Sequence, residues 1–265
     1  VTISELFQSA GYATGMIGKW HLGHCQPEYL PTHRGFDEYR GIPYSNDMRP
    51  IELLEGTKRK TYPVDQTTLA NDYTEWCLDF ITRNREQPFF LHYAPAAPHK
   101  PLSVSEEFDG KTGAGLYGDT VAELDASVGK LLEHLRTTGL AENTLVLFTS
   151  DHGPWFGGNT GGLRGMKAST FEGGFRVPMI AWWPNNIPAG KEIATPAITV
   201  DLFTTALQAA GIEPPPDRVI DGCNLLPLLR GESNRRDVEF IFGQTDRGTM
   251  TVRDARWKLH LQQPW

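Results

Sequence analysis

The chain has 265 residues, 39% of them hydrophobic and 22% charged, with a formal net charge of -7 and a pI near 5.6. Its lysines and arginines are scattered, which excludes the basic stripe of a nucleic-acid binder. Its longest apolar run, VPMIAWWP at 177–184, is strand-sized and well short of the ~18 residues a membrane span needs.

The start at Val1, with nothing resembling a signal peptide, reads as a processed or truncated N-terminus. Residues 2–10 read as a helix: Thr2 caps it, Glu5 completes a capping box, Leu6 and Phe7 face inward, and Gly11 ends it. YATGMIG at 12–18 follows as a buried strand that delivers Lys19, Trp20 and His21 at its carboxyl end. Residues 23–60 lack periodicity and are punctuated by Pro, Gly and Asn, so a long irregular excursion is expected there. Helical spacing returns at 65–85, where Leu69, Tyr73, Trp76, Cys77, Phe80 and Ile81 share a face. PFFLHYA at 88–94 is a second buried strand, ending in APAAPHKP.

The clearest helix is 117–138, with Val121, Leu124, Val128, Leu131, Leu132 and Leu135 inward and Gly139 as its cap. It leads to a third strand, TLVLFT at 144–149, and then to SDHG and a glycine-rich stretch. A fourth strand at 178–183, a helix at 200–210 and a short helical piece near 225–229 complete this part. Strands alternating with helices predict an α/β fold with a doubly wound, mostly parallel sheet flanked by helices on both faces. Close-spaced strands at 238–242, 249–252 and 257–261 predict the start of a small antiparallel sheet that the chain end cuts off. The expected domains are therefore a core at 1–236 and the beginning of an antiparallel subdomain at 237–265.

Cys25, Cys77 and Cys223 lie far apart without a CxxC pair, which argues against zinc-ribbon or thioredoxin chemistry and allows at most one disulfide. Cys77 and Cys223 read as packing residues.

Ligands of open α/β sheets bind beyond the carboxyl ends of the strands. Polar residues collect there: Lys19 and His21 after the first strand, His99 and Lys100 after the second, Asp151 and His152 after the third, with Lys167 in the glycine-rich stretch. Lysines, histidines and a carboxylate on one crevice suit an anionic ester held by cations and a metal. Asp151 offers a hard oxygen and His152 an imidazole nitrogen to that metal. Gly157, Gly158, Gly161 and Gly162 let backbone approach a ligand, against the alternative of a loose surface loop. Glu172 and Arg176 read as an ion pair pinning that stretch. His92 reads as packing, and His33, His134 and His260 as structural or solvated.

GYATGMIGKWHLG at 11–23, LPTHRGFDEYRGIPYSND at 30–47, PFFLHYAPAAPHKP at 88–101, YGDTVAELDASVGKLLEHL at 117–135, and TSDHG with LRGMKASTFEGGFRVP together resemble the sulfatase family over nearly the whole chain. GIPYSND is most similar to the branch of arylsulfatase A and N-acetylgalactosamine-6-sulfatase. The resemblance implies an alkaline-phosphatase-like α/β fold and hydrolysis of aryl or carbohydrate sulfate esters. It also implies a calcium ion, although His152 stands where asparagine is frequent and leaves another divalent ion open. A formylglycine made from cysteine, and hence a formylglycine-generating or sulfatase-maturing enzyme as partner, is implied too.

Carried over by residue, Lys19 and Lys167 would hold sulfate oxygens, and His21 would hydrogen-bond the hydrated formylglycine and help eliminate sulfate from it. His99 would contact sulfate and assist the leaving alcohol, Ser45 would line the substrate side, and Asp151 and His152 would bind metal. The family's C-x-P-S-R or C-x-A-x-R motif is missing: Cys25-Gln26-Pro27-Glu28-Tyr29 has tyrosine in place of the arginine and follows GKWHLG instead of preceding it. The expectation is a fragment whose nucleophile lies upstream, inactive by itself, from a periplasmic, secreted or lysosomal protein that acts on a sulfated small molecule or carbohydrate. The alternatives are a phosphodiesterase or phosphonate hydrolase of the same superfamily, and a non-catalytic sulfatase-like binding module.

Overall fold

The computed structural model describes residues 1–155, 157–245 and 248–261. Phe156, within the glycine-rich stretch, and residues 246–247 and 262–265 of the expected C-terminal segment lie outside the described residues. The chain forms two compact units, Val1–Leu140 and Ala141–Trp265.

The first unit begins with α1 (Ile3–Ser9), whose capping box forms as the sequence predicts: Glu5 N–H donates to Thr2 Oγ1 at 3.2 Å, and Thr2 N–H donates to Glu5 Oε2 at 2.8 Å. Strand β1 (Ala13–Gly18) is an interior strand of a five-stranded sheet with β2 (Glu38–Gly41), β3 (Leu53–Glu55), β4 (Lys58–Thr61) and, beyond helix α2 (Leu69–Arg83), β5 (Phe89–Ala94). The order is β4-β3-β2-β1-β5; β2 and β5 run parallel to β1, while β3 and β4 are antiparallel additions. The irregular excursion expected at 23–60 thus holds three strands. They are three or four residues long, and the exposed KRKT of β4 carries no apolar alternation by which to recognise a strand.

Alternation along β1 builds a core on each sheet face. Ile17 packs with Leu69, Tyr73, Cys77 and Phe80 of α2, whereas Met16 packs with Leu30, Phe36 and Tyr39. Phe7 of α1 stacks on Phe90 at 4.4 Å. Helix α3 (Gly115–Thr137) packs against α2 and buries Leu135 and half-buries Leu124, Val128, Leu131 and Leu132 as expected, but its most buried side also carries polar residues. Asp119, Thr120, Glu123, Ser127 and Leu135 are buried, while Val121 is 39% exposed. Polar side chains tolerate this burial where they find partners: Asp119 accepts from Gly110 N–H, Thr112 N–H and the Thr112 hydroxyl, and Glu123 accepts from Ser105 N–H.

The second unit holds β6 (Val146–Thr149), α4 (Glu172–Phe175), β7 (Met179–Trp182), α5 (Val200–Ala209) and α6 (Leu226–Arg230). Strand β7 pairs with β6 antiparallel, not parallel as its place in a wound sheet suggested. Between them runs a long loop in which, among the described residues, the one-turn α4 is the helix present and no crossover helix brings the chain back to the starting end. Cys223, Leu225, Leu228 and Leu229 bury against Met179 and Ala181 of β7. The small antiparallel sheet expected at the C-terminus is present as β8 (Ile241–Thr245), β9 (Gly248–Arg253) and β10 (Lys258–His260), in the order β10-β9-β8.

Candidate functional site

Three parallel strands of the first unit end side by side, and each hands its chain to candidate residues. Lys19 and His21 follow β1, Ser45 follows β2, and His99 follows β5. Glycines make the close approach possible: a Cβ on Gly18 would overlap the Ala94 carbonyl, and one on Gly41 would overlap Gly18. Lys19 N–H donates to Ala94 O at 2.7 Å and His21 N–H to Pro43 O at 3.2 Å, so backbone bonds tie the β1 exit to both neighbours. His21 takes a left-handed φ of 55°, which is unusual for a residue with a side chain.

His99 is held by a residue that the sequence reading passed over. Asn46, only 2% exposed, donates through Nδ2 to Gln66 Oε1 and His99 O, both at 3.2 Å, and to Pro101 O at 3.4 Å. Its Oδ1 then faces His99 Nδ1 at 3.0 Å, and Lys100 O lies 2.7 Å from the same nitrogen. Both neighbours are acceptors, so Nδ1 carries the hydrogen. Asp47 completes the group. The neighbouring Ser45 hydroxyl does most to hold its carboxyl below the usual range, and the charges of His99 and Lys19 act in the same direction. Ser45 Oγ is buried and has no regular hydrogen bond, so this influence comes from nearness to the carboxylate.

Asn46→Ala removes the donor to Gln66 Oε1 and to the His99 and Pro101 carbonyls inside the unit, and it is expected to lower stability by about 1–3 kcal/mol. Urea unfolding checks this, and an unchanged midpoint would show that the network carries no stability.

In the second unit, Asp151 and His152 follow β6 directly. His152 Nδ1 lies 2.9 Å from Gly153 O, which fixes the hydrogen on Nδ1 and turns Nε2 toward Asp151 Oδ2 at 3.1 Å. That contact is favourable only with positive charge at it, either a proton on Nε2 or a cation shared by the two atoms. The donor set therefore fits part of a metal shell. Among the described residues there is no cluster of three or more His, Cys, Asp and Glu side chains able to hold a metal ion. Gly153 is required where it stands, because a Cβ there would overlap the Gly173 carbonyl.

The glycine-rich stretch is an ordered loop. Lys167 N–H donates to Pro154 O at 2.8 Å, Gly173 N–H to Arg164 O at 2.8 Å, and Gly153 N–H to Gly174 O at 2.9 Å, leaving the Lys167 side chain half-buried. Glu172 does pin the loop, but through Lys258 at 2.8 Å and Arg253 at 3.1 Å of the C-terminal sheet instead of an ion pair with Arg176. Burial pushes the Glu172 carboxyl up, and the two cations more than offset it. Their distance in sequence hid them from a local reading.

The structure thus gathers Lys19, His21, Ser45 and His99 at adjacent strand ends of one unit, and Asp151, His152 and Lys167 on one loop of the other. Asn46, Asp47 and Gln66 were not singled out from the sequence. The polar pair that follows Ser45 in a strand-end loop was the available signal. Cys77 and Cys223 are buried with their thiols pushed up by burial, and Cys25 is exposed.

The Sulfatase family model matches residues 1–212. N-acetylgalactosamine-6-sulfatase of Mus musculus is 41% identical over 98% of this chain and 54% of its own length. Arylsulfatase A of Homo sapiens is 37% identical over 98% of this chain and 58% of its own. Among solved structures, Ps i-CgsB in complex with k-i-k-neocarrahexaose superimposes with a TM-score of 0.84 at 30% identity, covering 99% of this chain and 66% of that one. The architecture is the alkaline-phosphatase-like α/β fold shared by such structures. The chain spans a little over half the length of the curated relatives it matches.

Proposed function

The chain belongs to the sulfatase family, and from that premise we propose that it is part of a sulfuric ester hydrolase acting on a carbohydrate sulfate, with a 6-sulfated amino sugar as the leading substrate class. The observation that carries this reading is the group in the first unit, where Lys19, Asp47 and His99 interact and Asn46 fixes the imidazole. The substrate class is supported by the 41% identity to an N-acetylgalactosamine-6-sulfatase.

A sulfate ester resists attack because its oxygens repel a nucleophile, so positive groups must offset that charge where water is scarce and Coulomb terms are large. Each of Lys19 and Lys167 is assigned to sulfate oxygens. His99, with Nδ1–H committed to Asn46 Oδ1 and Lys100 O, presents Nε2 to the leaving oxygen and in its protonated form supplies the proton that the departing alkoxide needs. Asp47 beside it favours that charged form. Ser45 lines the substrate side, and His21 handles the proton on the side of the attacking group. Asp151 and His152 would hold a divalent ion, calcium or a softer one, which supplies Lewis-acid charge when bound.

The family's formylglycine fits none of the three cysteines. Cys77 and Cys223 are buried, and Cys25 lies in an exposed loop without the required arginine, so none of them is assigned as the nucleophile. The same family reading proposes a sulfatase-maturing enzyme as partner and a periplasmic, secreted or lysosomal location. No described helix is long and apolar enough to cross a membrane.

Calorimetric titration of 6-sulfated N-acetylgalactosamine tests the assignment of the cations. Lys19→Ala and Lys167→Ala are each expected to weaken binding about 10- to 100-fold, the loss of one charge-assisted contact. Affinities equal to the parent's in both variants would remove the lysines from the site.

A further inference from the structure

Gln66 and Pro101, both bonded to Asn46 of the His99 network, line an open groove of about 610 Å3 in the first unit together with Arg49, Ile51, Val64 and Asp65 among others. Its size falls within the ~300–1,000 Å3 common for small-ligand sites. Gln66 connects groove and network directly, accepting from Asn46 Nδ2 and donating to Asn46 O, each at 3.2 Å. Pro101 contributes from the other side, where its carbonyl accepts from the same amide.

The lining is two-natured. Ile51, only 3% exposed, and the half-buried Val64 form an apolar floor with the prolines. Arg49 is exposed and has no ion-pair or hydrogen-bond partner among the described residues. Asp65 turns Oδ1 onto Thr67 N–H at 2.9 Å and the Thr67 hydroxyl at 2.7 Å, which leaves its other oxygen to accept from outside. A flat apolar floor, a carboxylate oxygen and an amide suit a sugar ring, which has an apolar face and a rim of hydroxyls. An unpaired guanidinium suits a planar or tetrahedral anion, which it grips with two parallel N–H donors.

We propose that this groove binds an anionic sugar, a uronate or a second sulfated residue, joined to the ring whose ester His99 serves. The proposal rests on the carbohydrate-sulfatase reading above and extends it from one sugar to two. Arg49 takes the anion, while Gln66 and Asp65 take hydroxyls. Asp65 also sets direction, since an anion placed at its end of the groove would be repelled.

Titrations of the 265-residue chain with three probes test the proposal: 6-sulfated N-acetylgalactosamine, the same sugar joined to glucuronate, and the same sugar joined to galactose. The glucuronate disaccharide is expected to bind about tenfold tighter than the monosaccharide, and Arg49→Ala, an exposed position, removes that advantage while leaving the monosaccharide unchanged. Equal affinity for all three probes overturns the groove assignment while the sulfatase reading stands. An equal gain from the neutral galactose disaccharide overturns the charged part. Weakening of all three probes by Arg49→Ala would place the arginine at the sulfate itself and also overturn the proposal. Failure of every probe to bind the parent overturns the carbohydrate-sulfate reading and the groove with it.

Discussion

Asp201→Ala is expected to cost the second unit about 3–5 kcal/mol, enough to unfold it under conditions where the parent is stable. Asp201 is fully buried in the first turn of α5, and Arg236 meets it with two bonds, Nε to Oδ2 at 2.7 Å and Nη2 to Oδ1 at 2.6 Å. The same carboxylate accepts from Ile198 N–H at 2.9 Å and Cys223 N–H at 3.0 Å, so it ties the start of α5 to the segments around Cys223 and Arg236. Removing it leaves a guanidinium only 4% exposed and two N–H groups without acceptors. A partner removed from a buried pair costs far more than the pair itself contributes, so Asp201→Leu combined with Arg236→Met should recover a large part of the loss. Chemical denaturation of the parent, the single variant and the double variant checks this, and a loss below about 1 kcal/mol in the single variant would contradict it.

The pH dependence has a defined sign. Burial pushes the Asp201 carboxyl up, but Arg236 and the two N–H donors outweigh it and hold the group below its ordinary value of 3.8. A carboxylate with a depressed folded value stabilises fully above that ordinary value and loses its contribution as pH falls through the lower folded one. The gap between parent and Asp201→Ala should therefore be constant from about pH 5 to 8 and narrow in stronger acid.

His99→Ala, made in the complete protein, should lower kcat for a sugar sulfate by about 10²- to 10⁴-fold with a smaller change in KM. Its Nδ1–H is pinned by Asn46 and Lys100, and the proposed role gives Nε2 the proton for the leaving oxygen. A donor matters most when the leaving alkoxide is a strong base. The loss should shrink on a nitrophenyl sulfate, whose leaving group departs with little help, and the alkaline limb of the pH–rate profile should disappear with the imidazolium. An equal loss on both substrates, with that limb retained, would make His99 a binding residue.

Much of this arrangement is legible in the chain itself. The Thr2–Glu5 capping box, the apolar face of α2 and the polar residues after β1 and β5 follow local rules, and each lies where those rules put it. What escaped depends on distance or on competition. Asn46 looks like any loop asparagine until β2 and β5 bring it against His99, 53 residues away. The short β2, β3 and β4 are specified by pairing with β1, not by their own alternation. On α3 the apolar stripe marked Leu131 and Leu135 as inward, but it did not show that Thr120, Glu123 and Ser127 are buried as well, where their hydrogen bonds permit it. The antiparallel turn of β7 depends on the missing crossover helix, which the glycine-rich composition of the intervening loop conceals.

The most direct measurement of the central reading is the product released by the complete protein from paired esters of the same amino sugar, 6-sulfated and 6-phosphorylated, in the presence of calcium. The site described predicts release of inorganic sulfate, with the phosphate ester turned over far more slowly. Release of phosphate while the sulfate ester stays intact would contradict it.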